Sequence, residues 1–218
     1  MENDTPNKIK ISKEIIATLP IETFPGKIVV IDNERDADNA VLQLNNERII
    51  GFDTETRPTF KKGKSNHVAL IQLSTHDTCY LFRINRIGFT PAIKNLLENE
   101  SLLKVGISLK DDFCMLSRLN GGQFIPKNFI ELQKFVKKYN IEDQSLQKIY
   151  GIVIGKKISK GQRLSNWEAD HLTENQQLYA ATDAWSCIKI YEVLKSGKFK
   201  SPIYLSLIHI SEPTRLRC

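Results

Sequence analysis

Apolar residues in this chain fall into short runs separated by charged stretches, prolines and glycines. Lys27 to Asp32 is β-branched and predicts a strand, and the pattern from about Glu34 to Leu44 predicts a helix. The apolar run Arg48 to Glu55 reads as the next strand. It opens into a basic loop, Arg57 to Lys64, broken by Pro58 and Gly63. Val68 to Ser74 and Cys79 to Phe82 are two further strands, and the short Thr75-His76-Asp77 connection suits an antiparallel hairpin. Pro91 to Glu98 starts on proline, as helices often do. Leu102 to Ile107 is a strand feeding a helix with Phe113, Leu116 and Leu119 on one face. Asn128 to Leu132 predicts a short strand, followed by helices around Leu132 to Lys138 and Ser145 to Tyr150. A loop rich in lysine and glycine runs from Gly155 to Arg163. The last helix starts near Thr173, where Thr173-Glu174-Asn175-Gln176 forms a capping box, and continues to Lys195. Residues 1–26 form an N-terminal extension, with a short helix from Ser12, a good N-cap, to Leu19. An early meander followed by alternating strands and helices predicts an α/β fold with a mixed sheet.

With 218 residues the chain is long enough for one sizeable core, and its 41% apolar and 26% charged composition is that of an ordinary globular domain. The net charge of +6 permits an anionic partner without specifying one. Four cysteines, Cys79, Cys114, Cys187 and Cys218, form no C-x-x-C pair, which predicts free thiols. With no apolar h-region at the start and no run of 18 apolar residues, no membrane span is expected and the cytoplasm is the expected compartment. The stretch from Leu205 to Arg215 resembles the translation of a sequencing adapter. Residues 205–218 are therefore read as a non-native tail, and residues 1–204 as a single domain whose core spans about 27–195.

Chemistry concentrates in three places. In Ile49-Ile50-Gly51-Phe52-Asp53-Thr54-Glu55-Thr56, Asp53 and Glu55 stand two apart on a strand and share a face, while Phe52 and Thr54 point the other way. Two such carboxylates repel unless a cation lies between them or one is protonated. Asp111 and Asp112 sit at a strand-to-helix junction, where either is a candidate helix cap. Tyr179 and Asp183 are four apart on the last helix and share a face. Taken singly, Asp183 is a solvated helix acid and Tyr179 a core residue with a satisfied hydroxyl; together, in this order, they suggest more.

The chain resembles the DEDD 3′-5′ exonuclease superfamily, in the tyrosine-bearing (DEDDy) branch that includes ribonuclease D and the Werner-syndrome helicase exonuclease domain. The likeness runs from about Ile49 to Leu194. It is carried by Gly51-Phe-Asp-Thr-Glu55, Val68-Ala-Leu-Ile-Gln-Leu73, Cys79-Tyr-Leu-Phe82, Ser165-Asn-Trp167, Leu172-Thr-Glu174 and Tyr179-Ala-Ala-Thr-Asp183. The resemblance implies an RNase H-like fold, with a mixed central sheet flanked by helices. It implies hydrolysis of DNA or RNA from the 3′ end by two Mg²⁺ or Mn²⁺ ions, releasing nucleoside 5′-monophosphates. It makes Asp53, Glu55, Asp112 and Asp183 the ligands. Asp112 is preferred to Asp111 because the family's aspartate stands six residues after the strand glycine, here Gly106, and four before a core leucine, here Leu116. Tyr179 matches the position that orients the attacking water. The histidine-bearing branch would have its histidine where Leu178 stands. Many relatives carry tryptophan after the first-motif glutamate, whereas this chain has Thr56, which leaves no stacking contact expected there.

Oxygen-only donors suit Mg²⁺ or Mn²⁺ rather than zinc, and two divalent ions bring four carboxylates to a formal sum of zero. Lys61, Lys62 and Lys64 after the first motif, and Lys156, Lys157, Lys160 and Arg163 before Ser165, are candidates to grip phosphates; solvated loop lysines are the plainer reading. Trp167 is a candidate for base stacking, against a buried structural role. No helicase segment or accessory helical domain is visible, and no protein partner is inferable. Two rivals remain: a catalytically inactive nucleic-acid-binding relative, and a phosphatase using Asp-x-Glu as nucleophile and acid, for which no second acid pair and lysine can be assigned.

Overall fold

The computed structural model describes residues 8–57 and 67–199. Six strands form one sheet: β1 Lys27–Ile31, β2 Ile49–Thr56, β3 Val68–Ser74, β4 Thr78–Phe82, β5 Leu103–Gly106 and β6 Phe129–Glu131, in the order β1-β4-β3-β2-β5-β6. Strands β2, β3 and β4 are the antiparallel meander, while β1 joins β4 in parallel and β5 and β6 extend β2 in parallel. All seven residues of β3 are buried, as expected of a strand covered on both faces.

The helices are α1 Lys13–Thr18, α2 Glu34–Leu44, α3 Ile84–Ile87, α4 Pro91–Leu97, α5 Leu109–Leu119, α6 Leu132–Phe135, α7 Leu146–Ile154 and α8 Glu174–Lys195. One face of the sheet packs Phe52, Leu73, Tyr80 and Phe82 against α2, α4 and α5. The other packs Val105 against Ile149, Ile152, Cys187 and Ile190 of α7 and α8. The predicted capping box on α8 is present in both directions between Thr173 and Gln176.

Four features depart from the sequence-based expectation. The helix expected around Leu132 to Lys138 is split into α6 and a 3₁₀ turn, Val136–Tyr139, which ends on Asn140 in the left-handed conformation. Helix α7 runs on past Tyr150 to Ile154 and stops at Gly155, whose φ of 76° suits glycine. Helix α3 follows β4 unannounced; beside it Arg83 is buried and its guanidinium donates to the carbonyls of Ala169 and Asp170. Finally, the packed body reaches back beyond residue 27. Ile11, Ile16 and Phe24 are 2%, 6% and 3% exposed, so the segment before β1 is a strap over the α7–α8 face. Glu22 anchors it, bonding the Tyr150 hydroxyl and pairing with Lys156 (2.7 Å) and Lys189 (2.9 Å). Among the described residues no helix is long and apolar enough to cross a membrane. The expected tail, residues 205–218, lies outside the described residues.

Candidate metal centre

Strand alternation sets the site. Gly51, Asp53 and Glu55 of β2 share the face on which α8 lies, and α8 lies very close. A Cβ built on Gly51 would stand 1.9 Å from the Ala184 carbonyl oxygen, so only glycine admits the helix at this depth. Small residues on α8, Ala180, Ala181 and Ala184, allow the same approach from the other side. The result places Asp183, next to Ala184, over the strand: carboxylate oxygens of Asp53, Glu55 and Asp183 all lie within 4.8 Å of one another. Asp183 is 9% exposed, which removes the reading of a solvated helix acid.

Burial raises every carboxyl in the group, and repulsion from neighbouring acids adds to it at Asp53 and Glu55. Asp53 is pushed well above its usual value by burial, then by Asp183, Glu55 and Asp112. Glu55 rises to about 9 through burial and the charges of Asp183 and Asp112. Asp183 rises to about 7 chiefly through burial, opposed by a hydrogen bond from Tyr179 and by Lys160. Three buried acids whose charged forms are disfavoured, with only oxygen to offer, are a poor protein interior and a good hard-cation site. The residues therefore fit a divalent metal.

Asp112 approaches the acid-bearing strand from the opposite layer. Helix α5 packs on the Phe52 face of β2, with Phe52 and Phe113 rings 6.2 Å apart. Asp112 accepts a 2.5 Å hydrogen bond from the hydroxyl of Thr54, the residue between the two strand acids. Its carboxyl is raised to about 6 by burial, against the Thr54 bond. It stands outside the three-acid cluster, yet its charge acts on both Asp53 and Glu55. Asp111, one residue earlier, is exposed. The start of α5 is fixed by Glu131 at the end of β6, which accepts from the backbone N–H of Ser108 (3.1 Å) and Leu109 (2.8 Å). Sequence reading missed both Thr54 and Glu131; the alternation rule that turned Thr54 away from Asp53 was the available signal for the first.

Tyr179 hydrogen-bonds to Asp183, and burial beside Asp183 and Glu55 drives its own pKa far upward, so the hydroxyl stays a donor. A model of the 3′-5′ exonuclease family matches residues 28–197, a span that contains all of these groups. The chain belongs to the 3′-5′ exonuclease family. It is 36% identical over 203 residues to the mouse bifunctional 3′-5′ exonuclease/ATP-dependent helicase WRN, covering 87% of this chain and 14% of that protein. The exonuclease mut-7 homolog of Aedes aegypti is 27% identical over 75% of this chain and 26% of its own length. The chain thus spans about a quarter or less of these relatives. Among solved structures, the Aedes aegypti Nibbler EXO domain superposes with a TM-score of 0.71 at 24% identity, over 87% of this chain and 94% of that one. The fold is accordingly RNase H-like, and family membership implies a divalent metal.

Around this exonuclease-family centre the expected substrate contacts separate. Lys160 and Arg163 are exposed, and each favours the ionised form of a centre acid, Asp183 and Glu55 respectively, so their charge reaches the site. Lys156 is paired with Glu22, and the Lys157 ammonium donates to the Ala17 carbonyl, so both serve the strap rather than a phosphate. Trp167 is a correction: it is fully buried, with its ring 6.1 Å from that of Tyr179, and no face is open to stack a base. Lys61, Lys62 and Lys64 lie outside the described residues.

Proposed function

We infer that the chain is a metal-dependent 3′-5′ exonuclease that hydrolyses DNA or RNA from the 3′ end. The observation that carries this reading is the convergence of the Asp53, Glu55 and Asp183 oxygens within 4.8 Å, with Tyr179 bonded to Asp183. Asp53, Glu55 and Asp183 would hold one Mg²⁺ or Mn²⁺ ion, and Asp112 would join them in holding a second. When bound, the pair supplies Lewis-acid stabilisation of the attacking and leaving oxygens. The Tyr179 hydroxyl, kept protonated, orients the attacking water beside Asp183. Lys160 and Arg163 offset the charge of the scissile phosphate. Water adds to phosphorus, the bond to the 3′-oxygen breaks, and a nucleoside 5′-monophosphate leaves. The free thiols of Cys79, Cys114 and Cys187 support a reducing, cytoplasmic setting.

The test incubates 3′-labelled and 5′-labelled oligonucleotides, DNA and RNA, with Mg²⁺ or Mn²⁺, with and without chelator. A stepwise ladder from the 3′ end that vanishes with chelator and with Asp53→Ala is the expected result. Intact oligonucleotide despite measurable binding points to an inactive relative. Release of inorganic phosphate instead of nucleotides points to a phosphatase.

A further inference from the structure

The acid centre occupies the carboxyl end of β2, and the parallel strands β5 and β6 end beside it in turn. Past those ends runs an open groove that the catalytic residues do not use. Its first part is a cavity of about 680 Å³, flanked by Phe113 and Phe129 and by Lys110, Lys134 and Lys137. Its second, about 470 Å³, is lined by Lys8, Lys10 and Glu142 on the strap and the loop below it. Lys137 and Gln144 line both, so the two adjoin. The groove starts at the first turn of α5, where Asp111 lines it one residue before Asp112, and leads away past β6 at the edge of the sheet.

The charges in this groove are arranged unequally. Lys110, Lys134 and Lys137 are exposed and have no carboxylate partner among the described residues. Of the acids lining the groove, Glu131 and Glu142 are already engaged, which leaves the exposed Asp111 as one carboxylate against the three lysines. Glu131 spends its carboxylate on the backbone of α5 and on the N–H of Gln133. Glu142 is held by two lysines, Lys8 at 2.6 Å and Lys10 at 2.9 Å. Unpaired ammonium groups beside aromatic rings suit a single strand, whose phosphates meet the lysines while its bases meet the rings.

We propose that this groove is a track for the 5′-ward part of the nucleic-acid strand whose 3′ end lies in the acid centre, with Lys134 and Lys137 contacting phosphates. The proposal rests on the exonuclease reading for its direction, and it makes the enzyme sensitive to strand length. A short oligonucleotide fills only the centre; a longer one also reaches the 3₁₀ turn and the strap.

The test measures binding by fluorescence anisotropy in chelator, where no cleavage occurs, using 5′-labelled single strands of about four and about twelve nucleotides. Wild type is compared with Lys134→Glu/Lys137→Glu and with a control pair outside the groove, Lys195→Glu/Lys198→Glu. The groove variant is expected to lose roughly tenfold in affinity for the long strand, with the salt-dependence slope reduced by about 1.4, while the short strand is unchanged. Equal losses with the control pair, or an unchanged preference for the long strand, overturn the track. A protein that degrades nothing yet shows the groove-dependent length preference leaves the track standing and removes the exonuclease reading. A normal 3′ ladder from a groove variant with unaltered long-strand affinity does the reverse.

Discussion

Replacing Asp183 by asparagine should stabilise the metal-free protein, and by an amount that depends on pH. The side chain keeps its shape and can still accept from Tyr179, while one buried like charge is removed. Asp183 moves from an ordinary 3.8 to about 7 on folding. The sign follows from proton linkage: between those values the folded chain holds a proton that the unfolded chain has lost, so stability falls as pH rises. The contribution is fully present below 3.8 and gone once pH has risen through about 7. A shift of that size corresponds to about 4 kcal/mol, and solvent reaching the cleft reduces it to about 2 kcal/mol. For a chain of this length, about 2 kcal/mol moves the melting temperature by roughly 4–8 °C. The assay is thermal melting in chelator from about pH 5 to about pH 8, followed by titration with Mg²⁺. Wild type should melt progressively lower as pH rises, and saturating metal should restore it by about 3 kcal/mol. Asp183→Asn should melt higher at the alkaline end and respond less to metal. A wild-type melting point independent of pH and of metal would show that these acids do not strain one another, and the electrostatic account of the centre would be wrong.

The depth of α8 is tested by Gly51→Ala, whose Cβ meets the Ala184 carbonyl at 1.9 Å; it should cost about 1–3 kcal/mol in denaturant titration. Because the helix carries Asp183 away with it, nuclease turnover should drop about a hundredfold. Tyr179→Phe should lower kcat with little change in KM, since the hydroxyl is assigned to the attacking water; an unchanged kcat removes that role. Asp112→Asn should abolish activity while Asp111→Asn keeps most of it, as only Asp112 is bonded to Thr54; the opposite pattern in a gel assay reassigns the ligand.

What the sequence made legible was local. The Asp-x-Glu alternation on β2, the α8 capping box and the one-face spacing of Tyr179 and Asp183 are short-range periodicities, and each appears where expected. The contacts that were not legible are long-range. Thr54 reads as pointing away from the acids, which is correct, yet α5 arrives on that side and delivers Asp112 to it. Nothing near Lys156 or Lys160 distinguishes them by sequence. Glu22, 134 residues away, decides that the first is an anchor and leaves the second exposed near Asp183. Trp167 has the composition of a stacking residue, and only its place between α8 and the sheet shows it to be core.

The strap has a practical bearing on how this protein is handled. The family match begins at residue 28, and a recombinant version trimmed to that point would remove Ile11, Ile16, Phe24 and Glu22 together. Lys189 and the Tyr150 hydroxyl would lose their shared acid, and the segment leading to Lys160 and Arg163 would lose two backbone ties, Glu22 N–H to the Lys157 carbonyl (2.8 Å) and Lys157 N–H to the Pro20 carbonyl (2.9 Å). Such a trimmed protein would keep its four acids and still handle substrate poorly, and its low activity would be mistaken for a property of the catalytic centre.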